Sequence, residues 1–185
     1  MTAEPAAPPA LDPEAALAAT RTNTGSTVAE LSQRAPVLLV FLRHAGCTFC
    51  REALADLAQQ RAALEKAGTQ LVLVHLGDDA SFGAFAAGYG LGDVPRVSDP
   101  ERALYRALGL RRASLAEMLD PRMWWRGLQA AILEKHGFGG VQGDMAQMPG
   151  VFLIKEGRVV TGYAHRSPAD RPDYLELCQL PPRAA

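Results

Sequence analysis

Two short apolar runs, separated by a long helical pattern, most constrain how this chain folds. Residues 37–42 have the length of one strand, and the nearly continuous apolar run 71–76 is typical of a parallel strand covered on both faces. Between them, leucines and alanines recur at helical spacing from Cys47 to about Ala67, and Gly68 is a good C-terminal stop. This strand–helix–strand order predicts an α/β domain.

Caps, breakers and turn residues predict the other elements. A small hydroxyl residue before a periodic pattern begins a helix, and a proline ends it. Two β-branched runs around a glycine-containing turn predict a hairpin. The further predicted elements are a short helix after Ser26 that stops at Pro36, a helix from Asp78 or Asp79 to about Ala87, an extended piece at 95–98, a helix from Asp99 to about Leu108, a hairpin of 151–154 with 158–161, and a last helix at about 172–180. Together these predict a central mixed β-sheet flanked by helices.

The chain divides into an arm, one domain and an insertion. Residues 1–22 are rich in Ala and Pro without a sustained period, which predicts a flexible N-terminal arm with a turn of helix near 13–19. Residues 23–185 form the predicted domain. Mixed helical spacing predicts a helical insertion at about 113–140, before the C-terminal hairpin.

Composition excludes several function classes. The chain has 185 residues, 48% of them apolar, and a formal charge of −1, so nothing points to nucleic acid. No apolar run approaches the roughly 20 residues that span a bilayer. No basic segment followed by an apolar one opens the chain, so we expect a cytosolic protein. Three cysteines in a reducing compartment make a structural disulfide framework improbable.

Cys47 and Cys50 are the leading candidates for chemistry. They are spaced C-x-x-C, directly after the first strand and at the start of the long helix. Unpaired N–H groups and the positive dipole end of a helix stabilise a thiolate. Such sites lower a cysteine pKa from about 8.5 into the range of roughly 3.5–7.5. The pair therefore predicts thiol–disulfide redox chemistry, with no bound cofactor because the electrons reside in the dithiol.

Other polar candidates carry two interpretations each. Arg43 and His44 precede the pair and either stabilise a thiolate by their charge or are solvated loop residues. His75 lies within an apolar strand, which favours a satisfied core histidine. His165 follows the second hairpin strand, where a surface loop is favoured over an approach to the site. Cys178 is expected to be a small buried apolar residue rather than a second resolving cysteine.

A strand, a C-x-x-C pair at a helix start and the later segment 148–157 together resemble the thioredoxin superfamily. The resemblance implies a thioredoxin-like fold. It also implies that Pro149 is a cis-proline packed against Cys47 and Cys50, where its backbone would pair with an incoming thiol partner.

The motifs also resemble peroxiredoxins of the alkyl-hydroperoxide-reductase (AhpC/TSA) type, and most closely the peroxiredoxin-like proteins that carry C-x-x-C. The residues that carry this resemblance are Gly143-Asp144 ahead of 149–154, and Ser98-Asp99-Pro100 opening a helix. By resemblance Cys50 matches the peroxidatic cysteine, Cys47 replaces a threonine, and Pro149 stands where those enzymes carry an arginine. The replaced donors would polarise a bound hydroperoxide, so their absence favours disulfide exchange.

Three functions stay open at this point. In a thiol–disulfide oxidoreductase Cys47 attacks and Cys50 resolves, whereas in a thiol peroxidase Cys50 attacks and Cys47 resolves. The third is a non-catalytic or zinc-holding module, for which no second C-x-x-C exists. Thr48 and Phe49, between the cysteines, influence the redox potential.

The expected partners follow from these alternatives. They are protein or small-molecule disulfides, hydroperoxides in the peroxidase alternative, and a cellular thiol reductant. No nucleic acid or membrane partner is expected. The insertion, with Trp124 and Trp125, is a candidate contact for a homodimer.

Overall fold

The computed structural model describes residues 12–43, 47–114, 146–167, 170 and 172–179. Its centre is a five-stranded sheet in the order β3-β2-β1-β4-β5. The strands are β1 (Val37–Phe41), β2 (Gln70–His75), β3 (Arg96–Ser98), β4 (Gly150–Lys155) and β5 (Arg158–Ala164). β1 runs parallel to β2 and antiparallel to β4. β2 and β3 are parallel, and β4 and β5 form the predicted hairpin. The predicted mixed sheet is therefore confirmed.

Helices cover both faces of the sheet. They are α1 (Pro13–Ala19), α2 (Val28–Arg34), α3 (Thr48–Lys66), α4 (Asp79–Ala87), α5 (Ala103–Ala107) and α6 (Tyr174–Gln179). Leu39 and Phe41 of β1 share a core cluster with residues of α1, α2 and α5. Leu38 and Val40 share the other cluster with residues of α3, α4 and α6. All five positions of β1 are buried because side chains alternate between two covered faces.

Two helices begin where local hydrogen bonds fix them. Thr27 and Glu30 form a capping box that starts α2. The carboxylate of Asp99 accepts hydrogen bonds from the N–H groups of Ala103, Leu104 and Tyr105, so α5 begins at Ala103, four residues after the aspartate that was expected to open it.

The turn of helix expected near 13–19 is present as α1, but residues 12–22 pack against the domain instead of forming a flexible arm. Asp12 caps α1, and Ala16 and Leu17 of this helix are buried in the core. Arg21 then bridges to Thr27. Two buried side chains in seven residues are too few to give a clear period in the sequence, but the sheet supplies the surface that buries them. Residues 1–11 lie outside the described residues.

Residues 115–145 also lie outside the described residues, together with most of the predicted insertion at 113–140 and the resembling pair Gly143-Asp144. Within the described ranges, none of the helices combines the length and the apolar character needed to span a bilayer.

Candidate redox site

The cysteine pair lies at the start of α3, shortly after the end of β1. Cys47 is the N-cap residue of α3, and Cys50 lies within its first turn. Both are free thiols, 5% and 3% exposed. This confirms the predicted placement at a helix start, where the dipole favours a thiolate.

Arg43 contacts both sulfur atoms. Its backbone N–H donates a hydrogen bond to Cys50 Sγ at 3.2 Å, and its Nη2 donates one to Cys47 Sγ at 2.8 Å. The side chain is buried, not solvated as in the loop alternative. A buried guanidinium this close to a thiol is a strong electrostatic partner for the thiolate form.

The two cysteines are electrostatically unequal. The hydrogen bond from Cys50, together with the charge and hydrogen bond of Arg43, holds the pKa of Cys47 well below its ordinary value despite burial. Burial, followed by the hydrogen bond to Cys47 and the charge on Cys47, raises the pKa of Cys50 well above its ordinary value. These effects favour the thiolate form at Cys47 and the protonated form at Cys50.

Tyr105 supports the loop from the opposite face of the sheet. Its buried hydroxyl donates a hydrogen bond to the backbone carbonyl of Leu42 and lies 3.3 Å from the carbonyl oxygen of Val74. It thereby ties the ends of β1 and β2 together directly before Arg43. The sequence does not predict this contact, because its pattern indicates only that Tyr105 is an apolar position of a short helix.

A cavity of about 20 Å³ lies against Cys50. Residues that border it include Arg43, Phe49, Cys50, Pro149, His165 and Tyr174. Pro149 therefore borders the same cavity as Cys50.

The expected cis peptide bond at Pro149 is wrong, since no peptide bond among the described residues is cis. A trans X-Pro bond is favoured by about 0.5–1 kcal/mol. Here backbone hydrogen bonds hold the chain on both sides of the bond. The Met148 N–H donates to the Arg111 carbonyl at 3.0 Å, and the Pro149 carbonyl accepts from the His165 N–H at 3.2 Å.

His165 is not on a surface loop, contrary to the sequence interpretation. It is 8% exposed and borders the cavity beside Cys50. Neither ring nitrogen has a hydrogen-bond partner among the described residues. Burial lowers its pKa to about 4. Counting back from the turn would place Ala164 opposite Pro149, but a β-bulge between Leu153 and Ile154 shifts the register by one residue and brings His165 there instead. Residue types gave no signal for this bulge, so the sequence alone could not locate His165.

The other candidates fall in different places. Thr48 is buried, Phe49 is partly buried against the core, and His44 lies outside the described residues. His75 is fully buried, as expected, but stacks on Phe82 with neither ring nitrogen hydrogen-bonded to a described residue. Cys178 is partly buried, and burial raises its pKa.

Within the described part of the chain, no cluster of three or more His, Cys, Asp or Glu side chains is placed to hold a metal ion.

A buried dithiol at a strand-to-helix junction of a mixed α/β sheet defines the class of thioredoxin-like thiol oxidoreductases. The family profile described as AhpC/TSA antioxidant enzyme matches residues 56–169, which is more than half of the chain. The chain belongs to this peroxiredoxin-like family and is an oxidoreductase. The match begins after Cys47 and Cys50, so the assignment of the two thiols rests on the geometry of the site.

Two curated relatives agree with this family. The chain is 27% identical to the prostamide/prostaglandin F synthase of Danio rerio over 164 residues, which cover 84% of this chain and 80% of the relative. It is 26% identical to peroxiredoxin-like 2C of Bos taurus over 166 residues, covering 82% and 70% of the two chains.

Solved structures share the fold. The bacterioferritin comigratory protein of Xanthomonas campestris superposes with a TM-score of 0.57 at 18% identity, covering 81% of this chain and 83% of that chain. A secreted disulfide oxidoreductase of Mycobacterium tuberculosis superposes with a TM-score of 0.50 at 15% identity, covering 86% and 90%. The predicted thioredoxin-like fold is confirmed.

Proposed function

We propose that this protein is a thiol–disulfide oxidoreductase that works through Cys47 and Cys50. The observation that carries the proposal is the buried guanidinium of Arg43, whose Nη2 lies 2.8 Å from Cys47 Sγ. It supports Cys47 as the nucleophile, because the thiolate and not the thiol attacks a disulfide.

The exchange takes two steps. The Cys47 thiolate attacks one sulfur of a substrate disulfide, so a mixed disulfide forms and one substrate thiolate leaves. Cys50 then loses its proton and attacks Cys47, closing the Cys47–Cys50 disulfide and releasing the second substrate thiolate. Two electrons pass from the protein dithiol to the substrate disulfide, and a thiol reductant restores the dithiol.

The proposed setting follows from this cycle. A cytosolic location would supply the cellular thiols that return the pair to its reduced state. Pro149, beside Cys50, would form part of the surface that meets the partner disulfide. A homodimer through the predicted insertion at 113–140 stays a prediction.

The test uses three cysteine variants and oxidised glutathione. We expect C47S to lose all reaction, because the nucleophile is gone. C50S should accumulate a mixed disulfide between Cys47 and glutathione, detected by mass spectrometry of the intact protein and its peptides. C178S is the control and should behave as the natural chain. A mixed disulfide on Cys50 in the C47S variant would overturn the assignment.

A thiol peroxidase is the second candidate, favoured by membership in a family described as an antioxidant enzyme. In this reaction a thiolate cleaves the O–O bond, giving a sulfenic acid and an alcohol, and the second thiol then forms the disulfide and releases water. Resemblance assigns the attack to Cys50, but the raised pKa of that thiol opposes it. Trapping the sulfenic acid after one equivalent of hydroperoxide, followed by peptide mass spectrometry, identifies the attacking sulfur or shows that none reacts.

A further inference from the structure

In the proposed exchange cycle, no residue has yet been assigned to remove the proton from Cys50. This thiol is 3% exposed. Burial and the neighbouring Cys47 both raise its pKa. A buried thiol that keeps its proton is a poor nucleophile, so the second step needs a base within reach.

His165 is a buried base with no assigned task. It borders the same 20 Å³ cavity as Cys50, and both of its ring nitrogens lack a hydrogen-bond partner among the described residues. Buried polar groups are almost always satisfied, so an orphaned imidazole next to a reactive thiol requires an explanation. The cavity is large enough for one water molecule.

We propose that His165 accepts the proton of Cys50 when this cysteine attacks the mixed disulfide at Cys47, directly or through one water in the cavity that they share. This inference rests on the proposed exchange function.

The charged and titratable groups around His165 are compatible with this role. Arg43, Cys50, Asp170 and Tyr174 border the same cavity, and the ring of Tyr163 contacts the imidazole with centroids 5.4 Å apart. The negative charge of Asp170 favours the imidazolium, although burial outweighs it and lowers the pKa of His165 to about 4. At neutral pH the ring is therefore unprotonated. Because a low pKa makes it a weak base, it takes the proton only as the Cys50 sulfur bonds to Cys47, when the S–H becomes strongly acidic.

The proposed step balances. The S–H bond of Cys50 breaks as a ring nitrogen of His165 takes the proton, and the electron pair of the sulfur forms the bond to Cys47. The bond between Cys47 and the substrate sulfur breaks at the same time. The imidazolium then gives its proton to the departing thiolate or to solvent, so His165 ends the cycle neutral.

The experiment is a single turnover of the reduced full-length chain with oxidised glutathione, quenched with acid and analysed by mass spectrometry. We expect H165Q to form the Cys47 mixed disulfide at the rate of the natural chain but to resolve it about 100-fold more slowly at pH 7. Between pH 7 and 9 the resolution rate of H165Q should rise about tenfold per pH unit, because hydroxide replaces the missing base. The natural chain should show a flatter profile.

H75Q is the matched control, since His75 is a second buried histidine that does not border the cavity. It should leave both rates unchanged. Equal resolution rates in H165Q and the natural chain would overturn the inference. So would slow resolution that is uniform at every pH, which indicates a purely structural defect.

Two further measurements keep the inference testable. If H165Q fails to fold, H165N takes its place. If both fail, the ring nitrogen chemical shifts of His165 in the natural chain should change when Cys50 loses its S–H on oxidation, and unchanged shifts would overturn the inference. If the natural chain forms no mixed disulfide at Cys47, the exchange function itself fails. A normal mixed disulfide with unaffected resolution removes only the role of His165.

Discussion

At the scale of single residues, Arg43 adds to the difference between the two cysteines that their mutual hydrogen bond and burial create. Its guanidinium donates to Cys47, whereas its backbone N–H donates to Cys50. Only the guanidinium carries a full charge, so the electrostatic stabilisation falls mainly on the first sulfur. This side chain, at the end of a strand, therefore favours the thiolate form more at Cys47 than at Cys50.

Replacing this guanidinium should weaken the nucleophile. In R43M we expect the pKa of Cys47 to rise by about 1–3 pH units, because the opposite charge that favours the thiolate is removed. R43K keeps a charge and should show a smaller rise. The measurement is the pH dependence of alkylation of Cys47 by iodoacetamide, followed on its peptide. The same titration midpoint in R43M and the natural chain would contradict the role given to Arg43.

The site was only partly predictable from sequence at this scale. The C-x-x-C spacing and the preceding strand placed Cys47 and Cys50 correctly, because both features are local. Arg43 was a candidate by proximity, but its contact with Cys47 depends on the side-chain direction. His165 was missed because it lies 115 residues after Cys50 in the sequence and reaches the site only through the pairing of β4 with β5.

At the scale of elements, the site lies at the carboxyl ends of β1 and β2. Helix α5 contacts both ends through the hydroxyl of Tyr105. Asp99 anchors α5 by accepting three backbone N–H groups of its first turn. This anchoring positions Tyr105, whose hydroxyl reaches the carbonyl of Leu42. A five-residue helix would be marginal alone, so its support of the loop depends on these contacts.

Removing this hydroxyl should therefore cost stability. We expect Y105F to lower the free energy of unfolding by about 1–3 kcal/mol, because the buried carbonyl of Leu42 loses its donor. Y163F is the control, since the hydroxyl of Tyr163 is a surface group 3.4 Å from Asp170, and its effect should stay within about 0.5 kcal/mol. Urea denaturation measures both. Equal stabilities of the two variants would show that the contact is dispensable.

The boundaries of helices and strands could be predicted from the sequence where neighbouring residues determine them. The capping box at Thr27 and Glu30 and the turn before Arg158 could be recognised from residue types alone. The peptide bond at Pro149 could not, because the choice between cis and trans depends on the partners of the flanking backbone. Those partners, Arg111 and His165, come from distant parts of the chain.

At the scale of the whole molecule, two buried histidines make the fold sensitive to acid. Burial lowers the pKa of both His75 and His165 to about 4, from an ordinary value of 6.5. His75 has Asp79 at 3.9 Å, but this partner does not offset its burial. The folded state therefore keeps both rings neutral where the unfolded chain already binds protons.

Stability should consequently fall with pH in a defined window. Between about pH 6.5 and pH 4 the unfolded chain binds more protons, so each histidine removes about 1.4 kcal/mol per pH unit as the pH falls. Above pH 6.5 both histidines are neutral in the folded and the unfolded chain, so they no longer lower the free energy of unfolding. Urea denaturation at pH 7, 6 and 5 measures the slope, and H75Q should reduce it by one histidine's share. A profile that is flat from pH 7 to 5 would contradict the buried neutral state of both rings.

The architecture of the molecule was more predictable than its N-terminal boundary. Strand and helix periods run through long segments, so the mixed sheet and its covering helices could be inferred. Helix α1 is part of the domain because Leu17 packs in the core, and no local sequence pattern indicates this packing. Packing across the sheet, not local propensity, sets that edge of the domain.

The contact between Arg43 and Cys47 also bears on the direction in which electrons flow. When the two sulfurs join, the guanidinium loses the thiolate that compensates its burial, whereas the reduced pair retains it. A dithiol form stabilised in this way shifts the couple toward a higher, more oxidising potential. The pair should therefore take up electrons readily, and its reduced form should pass them to an acceptor supplied in excess, such as oxidised glutathione, or to a reactive one, such as a peroxide, in preference to the stable disulfides of folded proteins.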